Sequence, residues 1–121
     1  MDLKIRPKTI ICDIDGVLIR HCGDITDQHT IEPELLPGAI ETIREWDLGG
    51  DTIILTTGRR ESTRLATEKQ LSDCGIIYDH LIMGVASGIR VLINDKKPDG
   101  QDAAVAINLN RNEGFYGQGN S

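Results

Sequence analysis

The residues that could carry out chemistry follow three separate apolar stretches of the chain. Asp13 and Asp15 follow the stretch of residues 9–12. Thr56 and Thr57 end the stretch of residues 52–57, and Gly58 and Arg59 come directly after it. Asn94, Asp95 and Asp99 follow residues 90–93. Carboxylates held together repel one another, and Mg²⁺, which prefers oxygen ligands, can neutralise them. A threonine hydroxyl beside a glycine amide can donate hydrogen bonds to phosphate oxygens. Because an ionised carboxylate can attack phosphorus directly, the set predicts phosphoryl transfer through an aspartyl-phosphate, with Mg²⁺ as the cofactor.

The elements that must position these residues are predicted from short β-branched runs and from helical periodicity. Strands are predicted at residues 9–13, 52–57, 81–83, 90–94 and 104–107, and helices at 37–48 and 62–74. Ile40, Ile43, Leu48, Leu65 and Leu71 are predicted to face inward. Alternating strands and helices indicate an α/β fold with a doubly wound, mostly parallel sheet of five strands. The carboxyl ends of such strands share one edge of the sheet, where ligands bind.

Two connecting segments and the last residues of the sequence do not fit a regular βα repeat. Residues 16–36 are polar and predict a long loop over the site. Residues 84–89 are too few for a crossover helix, although in extended form they could span roughly 20 Å. Residues 109–121 are rich in Gly and Asn and predict a flexible tail.

The length and composition predict one cytoplasmic domain over residues 1–121. The chain carries a net charge of −6, which disfavours nucleic acid and anionic membranes as partners because both bind basic patches. No apolar run is long enough to span a bilayer. The three cysteines form no C-x-x-C pair, so no zinc site or disulfide framework is expected.

Taken together, the motifs resemble those of the haloacid dehalogenase superfamily of phosphohydrolases. The first motif of that family, D-x-D-G after a strand, is matched at residues 13–16. The second, a strand ending in Ser or Thr, is matched by the T-G-R of residues 57–59, and the fourth, a strand ending in acids, by residues 94–95. With residues 78–84, the pattern is similar to the small capless members of capsule and polysaccharide biosynthesis. The resemblance covers residues 8–99 and implies a Rossmann-like core without a full cap domain.

This resemblance implies a role for each matching residue. Asp13 would be the nucleophile and a Mg²⁺ ligand, and Asp15 would act as acid and base while its main-chain carbonyl also binds the metal. Thr57 would hydrogen-bond the phosphoryl group, with Thr56 as the alternative. From the residues themselves, Gly58, Arg59 and Arg90 are further candidates for phosphate binding, and Arg59 could equally be a solvated charge at the start of a helix. Asp95 would be the third metal ligand, with Asn94 and Asp99 close behind it.

The sequence departs from the family pattern in two ways. The family places a lysine just after the glycine of the third strand, where this chain has Val85. The sequence leaves open which cation replaces it: Arg90, Lys96, Lys97 or Lys69. The usual acidic pair is also replaced by Asn94 and Asp95, which removes one negative charge from the site.

The expected substrate is a sugar phosphate or a related phosphorylated metabolite. A capless site is open, so a large substrate or a neighbouring subunit is expected to shield it from water. A catalytically weak binding or regulatory module that keeps the fold and the metal is the alternative. A receiver domain is a remote alternative, because the acids after the first strand are separated by Ile14 and the third strand ends without an aspartate.

Overall fold

The computed structural model describes residues 7–116. It contains a parallel sheet of three strands and two α-helices. The elements in chain order are β1 (Thr9–Asp13), α1 (Ala39–Leu48), β2 (Thr52–Thr56), α2 (Arg64–Asp73) and β3 (His80–Ile82). Short 3-10 helices cover Ile25–Thr30 and Glu61–Thr63. The predicted α/β class and parallel sheet are confirmed, as are β1 and the body of both helices.

The sheet has the strand order β1-β2-β3, and its register places alternate residues on opposite faces. Cys12 pairs with Leu55 and Leu55 with Leu81 on one face, which is buried. Asp13 pairs with Thr56 and Thr56 with Ile82 on the other face, where Ile82 is 49% exposed. Asp13 and Thr56, which end β1 and β2, therefore share the more open face.

The two helices end where the glycines of the sequence predict. The N–H of Gly49 donates to the carbonyl of Glu45, and Gly50 and Gly75 adopt positive φ angles of 78° each, which only glycine enters easily. Inward packing is confirmed for Ile43 and Leu71. Ile40 is partly buried against the core.

The predicted inward position of two other leucines is wrong. Leu48 is 87% exposed and Leu65 is 82% exposed. Leu48 is the last residue of α1 and Leu65 lies in the first turn of α2, so both lie near helix ends where the chain leaves the core.

The loop of residues 16–36 contributes to the core as well as to the surface. Leu18 and Ile19 are fully buried, and isolated β-bridges join Ile19 to Asp15 and to Leu35. The loop is thus anchored on both sides of the 3-10 helix.

Residues 110–116, within the stretch predicted as a flexible tail, pack against the body of the domain. The Asn112 side chain bonds both the N–H and the carbonyl of His21, at 2.7 and 3.1 Å. The Phe115 ring meets Trp46 edge-on with the centroids 6.0 Å apart. Residues 117–121 lie outside the described range.

The five-stranded sheet is not confirmed. Residues 90–94 and 104–107 form no strand in the structure. Val91 and Ile93 are 78% and 89% exposed, so this stretch lies away from the core. Residues 84–89, which precede this stretch, form no crossover helix that would run back along the sheet. Among residues 7–116, no helix is long and apolar enough to cross a membrane.

Leu55 and Leu65 offer a matched test of this core. Leu55 is completely buried and Leu65 is 82% exposed. We expect Leu55→Ala to lower the free energy of unfolding by about 2–5 kcal/mol, because it leaves a cavity. Leu65→Ala should change it by about 0.5 kcal/mol or less. Urea denaturation followed by circular dichroism measures both values, and equal losses would contradict the assigned packing.

Candidate active site

Asp13 ends β1 with its carboxylate open to solvent. The side chain is 47% exposed. The Thr56 hydroxyl donates to Asp13 Oδ1 across 2.9 Å, and Arg90 Nη2 lies 3.8 Å from the same oxygen. A carboxylate in this setting is accessible to an incoming electrophile while a hydroxyl and a cation lie beside it.

Asp15, two residues further on, is in the opposite environment. Its side chain is 5% exposed and that of Arg59 is 1% exposed. Arg59 Nη2 donates to Asp15 Oδ1 at 2.8 Å and Arg59 Nε to Oδ2 at 3.2 Å, so the ion pair is bidentate. The Thr57 hydroxyl donates to Oδ2 at 2.9 Å. Both carboxylate oxygens are therefore held by protein donors.

The sequence assigned the phosphoryl contact to Thr57, with Thr56 as the alternative. The structure gives the two hydroxyls different partners, since Thr57 is buried against Asp15 and Thr56 reaches the exposed Asp13. Of the two, Thr56 stands nearer to a group on Asp13. The Thr57 oxygen also accepts the N–H of Arg59 at 3.1 Å, which fixes the turn that follows β2.

The turn of residues 57–59 is clamped to the chain that follows β3. The N–H of Thr57 donates to the carbonyl of Ile82, and the N–H of Val85 donates back to the carbonyl of Thr57 at 2.9 Å. At Gly58 a Cβ atom would lie only 3.2 Å from the Val85 carbonyl oxygen, so glycine permits this approach. Position 85, where the haloacid dehalogenase pattern described above has its lysine, thus lies directly beside the T-G-R turn.

Asp95 does not form a metal-binding group with Asp13 and Asp15 within the described residues. It lines a shallow hollow of about 230 Å³ together with Asp102 and Ala104, and no residue of β1 or β2 lines that hollow. Across residues 7–116, no group of three or more His, Cys, Asp or Glu side chains could hold a metal ion. The Asp13 carboxylate fits a Mg²⁺ ligand, but the expected set is incomplete in this arrangement because residues 90–94 are not part of the sheet.

The four cations considered for the missing lysine are now distinguished by position. Arg90 is the one with a contact to Asp13. Lys69 Nζ lies 2.7 Å from Asp73 Oδ2 along α2, and Lys96 Nζ lies 3.9 Å from Asp102 Oδ1. The structure gives Lys97 a main-chain bond to Gln101. Arg90 is therefore the best placed of the four to meet an anion at Asp13.

Two parts of the site were missed by the sequence analysis. The first is Gln70 on α2, which bonds the buried face of Arg59. The second is Arg111, whose Cγ would lie 3.3 Å from a Cβ at Gly16, beside the D-x-D-G turn. Arg111 belongs to a polar, glycine-containing stretch, and a positive φ at Asn112 is the local sign of a fixed turn there. Gln70 lies within the predicted helix of residues 62–74, but its polar side chain gives no sign there that it is buried.

Cys12 is buried on the other side of β1 from Asp13. Burial, reinforced by the neighbouring Asp13 charge, raises the pKa of its thiol from 9.0 to about 12. Its Sγ lies 3.3 Å from the Asp13 carbonyl oxygen, to which the thiol donates. The thiol therefore stays protonated at neutral pH and serves packing.

This raised pKa predicts how stability depends on pH. In the unfolded chain the Cys12 thiol ionises near 9.0, whereas in the fold it ionises near 12. The folded state then binds more protons between these values, so its contribution is complete below pH 9.0 and is lost as pH rises toward 12. We expect the free energy of unfolding to fall over this window, and Cys12→Ala to remove that part of the slope. An unchanged slope in the variant would contradict the assignment.

Comparisons with known proteins place this geometry in context. Neither a scan against protein families nor a search of curated proteins finds a match. Among solved structures, a chain of a Pnkp1/Rnl/Hen1 complex matches with a TM-score of 0.58 and 26% identity over 83% of this chain and 33% of that one. A chain of the Pnkp1/Rnl/Hen1 RNA repair complex matches with a TM-score of 0.55 and 28% identity over 69% and 28%.

A third similar structure is the D,D-heptose 1.7-bisphosphate phosphatase from B. bronchiseptica, solved with magnesium and phosphate. Its TM-score is 0.50 and its identity 25%, over 63% of this chain and 49% of that chain. The chain thus spans about half or less of the length of each of these proteins. Together the likenesses support a haloacid dehalogenase-like fold for this chain.

Proposed function

We propose that this chain is a Mg²⁺-dependent phosphomonoester hydrolase that forms an aspartyl-phosphate on Asp13. The supporting observation is the contrast between two carboxylates at one sheet edge. Asp13 is exposed and free to meet phosphorus, whereas Asp15 is buried and fixed by Arg59 and Thr57. One carboxylate is accessible as a nucleophile, and the other is held in a set orientation for proton transfer.

The chemistry runs in two displacements. An Asp13 oxygen attacks phosphorus, and the bond between phosphorus and the ester oxygen breaks. The leaving oxygen takes the proton of a protonated Asp15 carboxyl, which is left as the carboxylate that pairs with Arg59 in this structure. Water then attacks phosphorus, Asp15 takes its proton, and the Asp13–phosphorus bond breaks to release inorganic phosphate and restore the carboxylate. Thr56 and Arg90 are the nearby groups that can balance negative charge on the phosphoryl oxygens.

A bound Mg²⁺ would neutralise charge between the Asp13 carboxylate and the phosphate, with the main-chain carbonyl of Asp15 as a second ligand. Asp95 completes the proposed set, with Asn94 and Asp99 beside it. Since Asp95 forms no metal-binding group with Asp13 and Asp15 within the described residues, the proposal requires residues 90–94 to move to the sheet edge as a further strand, which residues 104–107 would extend to five.

The proposed substrate is a sugar phosphate or a similar small phosphorylated metabolite in the cytoplasm. The open sheet face beside Asp13 supports a site that a large substrate or a second subunit covers. A phosphorylated RNA end is a less favourable substrate, even though one similar solved structure is an RNA repair complex, because the net charge of −6 repels polyanions.

Asp13→Asn tests the nucleophile. We expect phosphate release from p-nitrophenyl phosphate and a panel of sugar phosphates, in the presence of Mg²⁺, to fall by about 1,000-fold or more, because the neutral amide of the variant is a poor nucleophile. Asp47→Asn is the matched control, since Asp47 is an exposed acid in the last turn of α1. It should leave turnover unchanged.

The outcomes separate the candidate functions. Equal turnover by the wild type and Asp13→Asn would refute the nucleophile. No turnover by the wild type on any substrate, together with Mg²⁺ or phosphate binding, would favour the weak binding module, which the incomplete ligand set supports. Turnover confined to a 3′-phosphorylated RNA oligonucleotide would overturn the substrate assignment and leave the chemistry intact.

Hydrogen exchange tests the metal site without relying on activity. Residues 90–94 are exposed and outside the sheet, so their amides should exchange rapidly in metal-free protein. We expect Mg²⁺ to slow their exchange in the wild type and to have no such effect in Asp95→Asn. Mass spectrometry of labelled peptides measures this, and equal exchange with and without Mg²⁺ in the wild type would contradict Asp95 as a ligand.

A further inference from the structure

The guanidinium of Arg59 is buried, which is unusual for a charged group in a small domain. Charged side chains are almost never fully buried unless they are paired, and Arg59 is 1% exposed. As part of a phosphate cradle it would have to present N–H groups to solvent. The structure instead directs its nitrogens into the protein, so the predicted contact of Arg59 with substrate phosphate is not what this geometry supports.

All three guanidinium nitrogens have protein acceptors. Nε and Nη2 donate to the two oxygens of Asp15. Nη1 donates to Gln70 Oε1 at 2.6 Å and to Thr67 Oγ1 at 3.3 Å, both on α2. The planar fork of arginine matches a carboxylate on one side and leaves Nη1 for a second element on the other. Arg59 therefore bridges the D-x-D-G turn and α2.

Gln70 carries the connection onward to the loop of residues 16–36. It is 8% exposed, and its Nε2 donates to the carbonyls of Gln28 and Ile31, each at 3.0 Å. Gln28 in turn donates to the carbonyl of Arg20 and accepts from the N–H of Cys22. A continuous chain of hydrogen bonds thus runs from Asp15 to the loop that lies beside the site.

From this network we propose that Arg59 is a positioning residue for the reaction, acting through Asp15 rather than on the phosphate. The guanidinium of Arg59 fixes the orientation of the Asp15 carboxylate. Gln70 in turn bonds Arg59 to the loop of residues 16–36. The inference rests on the proposed function, since it assigns Arg59 a part in the hydrolysis. A positioning role and a phosphate-binding role for Arg59 predict different effects of its substitution on kcat and on phosphate affinity.

The test compares Arg59→Met, Asp15→Asn and the double variant in kcat and KM, with inorganic phosphate as a competitive inhibitor. Arg59→Met should lower kcat by about 100-fold, the scale of one acid–base group, with KM and the phosphate inhibition constant within about twofold of the wild type. In the Asp15→Asn background the same change should lower kcat by less than about twofold, because Arg59 acts through a group already removed.

Three further variants guard the interpretation. Arg59→Lys keeps the charge without the fork and should recover part of the lost kcat. Gln70→Met leaves the Asp15 contacts and should cost less than Arg59→Met. Arg44→Met, an exposed arginine of α1, should leave kcat unchanged. Circular dichroism measures the folded fraction of each variant, and each kcat is calculated per folded molecule. A variant that is only less stable is recognised in this way.

Each result decides the inference. A rise of about tenfold or more in the phosphate inhibition constant of Arg59→Met would show that Arg59 binds phosphate and would overturn it. Losses that multiply in the double variant would overturn it as well. These failures arise in an active wild type and leave the proposed function standing, whereas a wild type without Asp13-dependent turnover overturns both together.

Discussion

The buried ion pair between Asp15 and Arg59 is the interaction on which the site depends. Removing two charges from water costs several kcal/mol for each ion, and only good geometry with further hydrogen bonds offsets that cost. Here the fork meets both carboxylate oxygens, Thr57 adds a third donor, and Gln70 accepts from the far side. No buried side-chain nitrogen or oxygen within residues 7–116 is left without a partner. Because removing either side chain would leave the other buried without its partner, the pair fixes the turn after β1 and the turn after β2 relative to each other.

The same pair separates two carboxylates that the sequence places two residues apart. β1 ends at Asp13, and the chain then turns at Gly16 with a φ of 92°. Asp13 stays on the open face of the sheet, while Asp15 turns toward the interior and its arginine. Two chemically identical groups thus acquire opposite environments, and the proposed chemistry needs that difference, since one must meet phosphorus and the other must keep a fixed orientation.

The surroundings of the pair come from segments that are distant in the chain. α2 supplies Gln70, the loop of residues 16–36 supplies the carbonyls that Gln70 reaches, and residues 110–116 pack Asn112 against His21. These contacts close the interior side of the site. Its outer side stays open, because residues 90–94 do not join the sheet and Asp95 forms no metal-binding group with Asp13 among residues 7–116. The position of that stretch therefore decides whether the magnesium ligands come together.

The sequence by itself determined β1, β2, the bodies of both helices and the shared edge for Asp13 and Thr56, because β-branched runs, helical periodicity and glycine stops are local signals. It also identified the D-x-D-G and T-G-R motifs. Only the tertiary structure decided that Arg59 is buried, since a charged residue at a strand end reads as exposed until its partners on β1 and α2 are known. The position of residues 90–94 is likewise non-local. Their apolar pattern predicts a strand, but a strand forms only when the segment pairs with a free edge of the sheet, and that pairing is a tertiary contact.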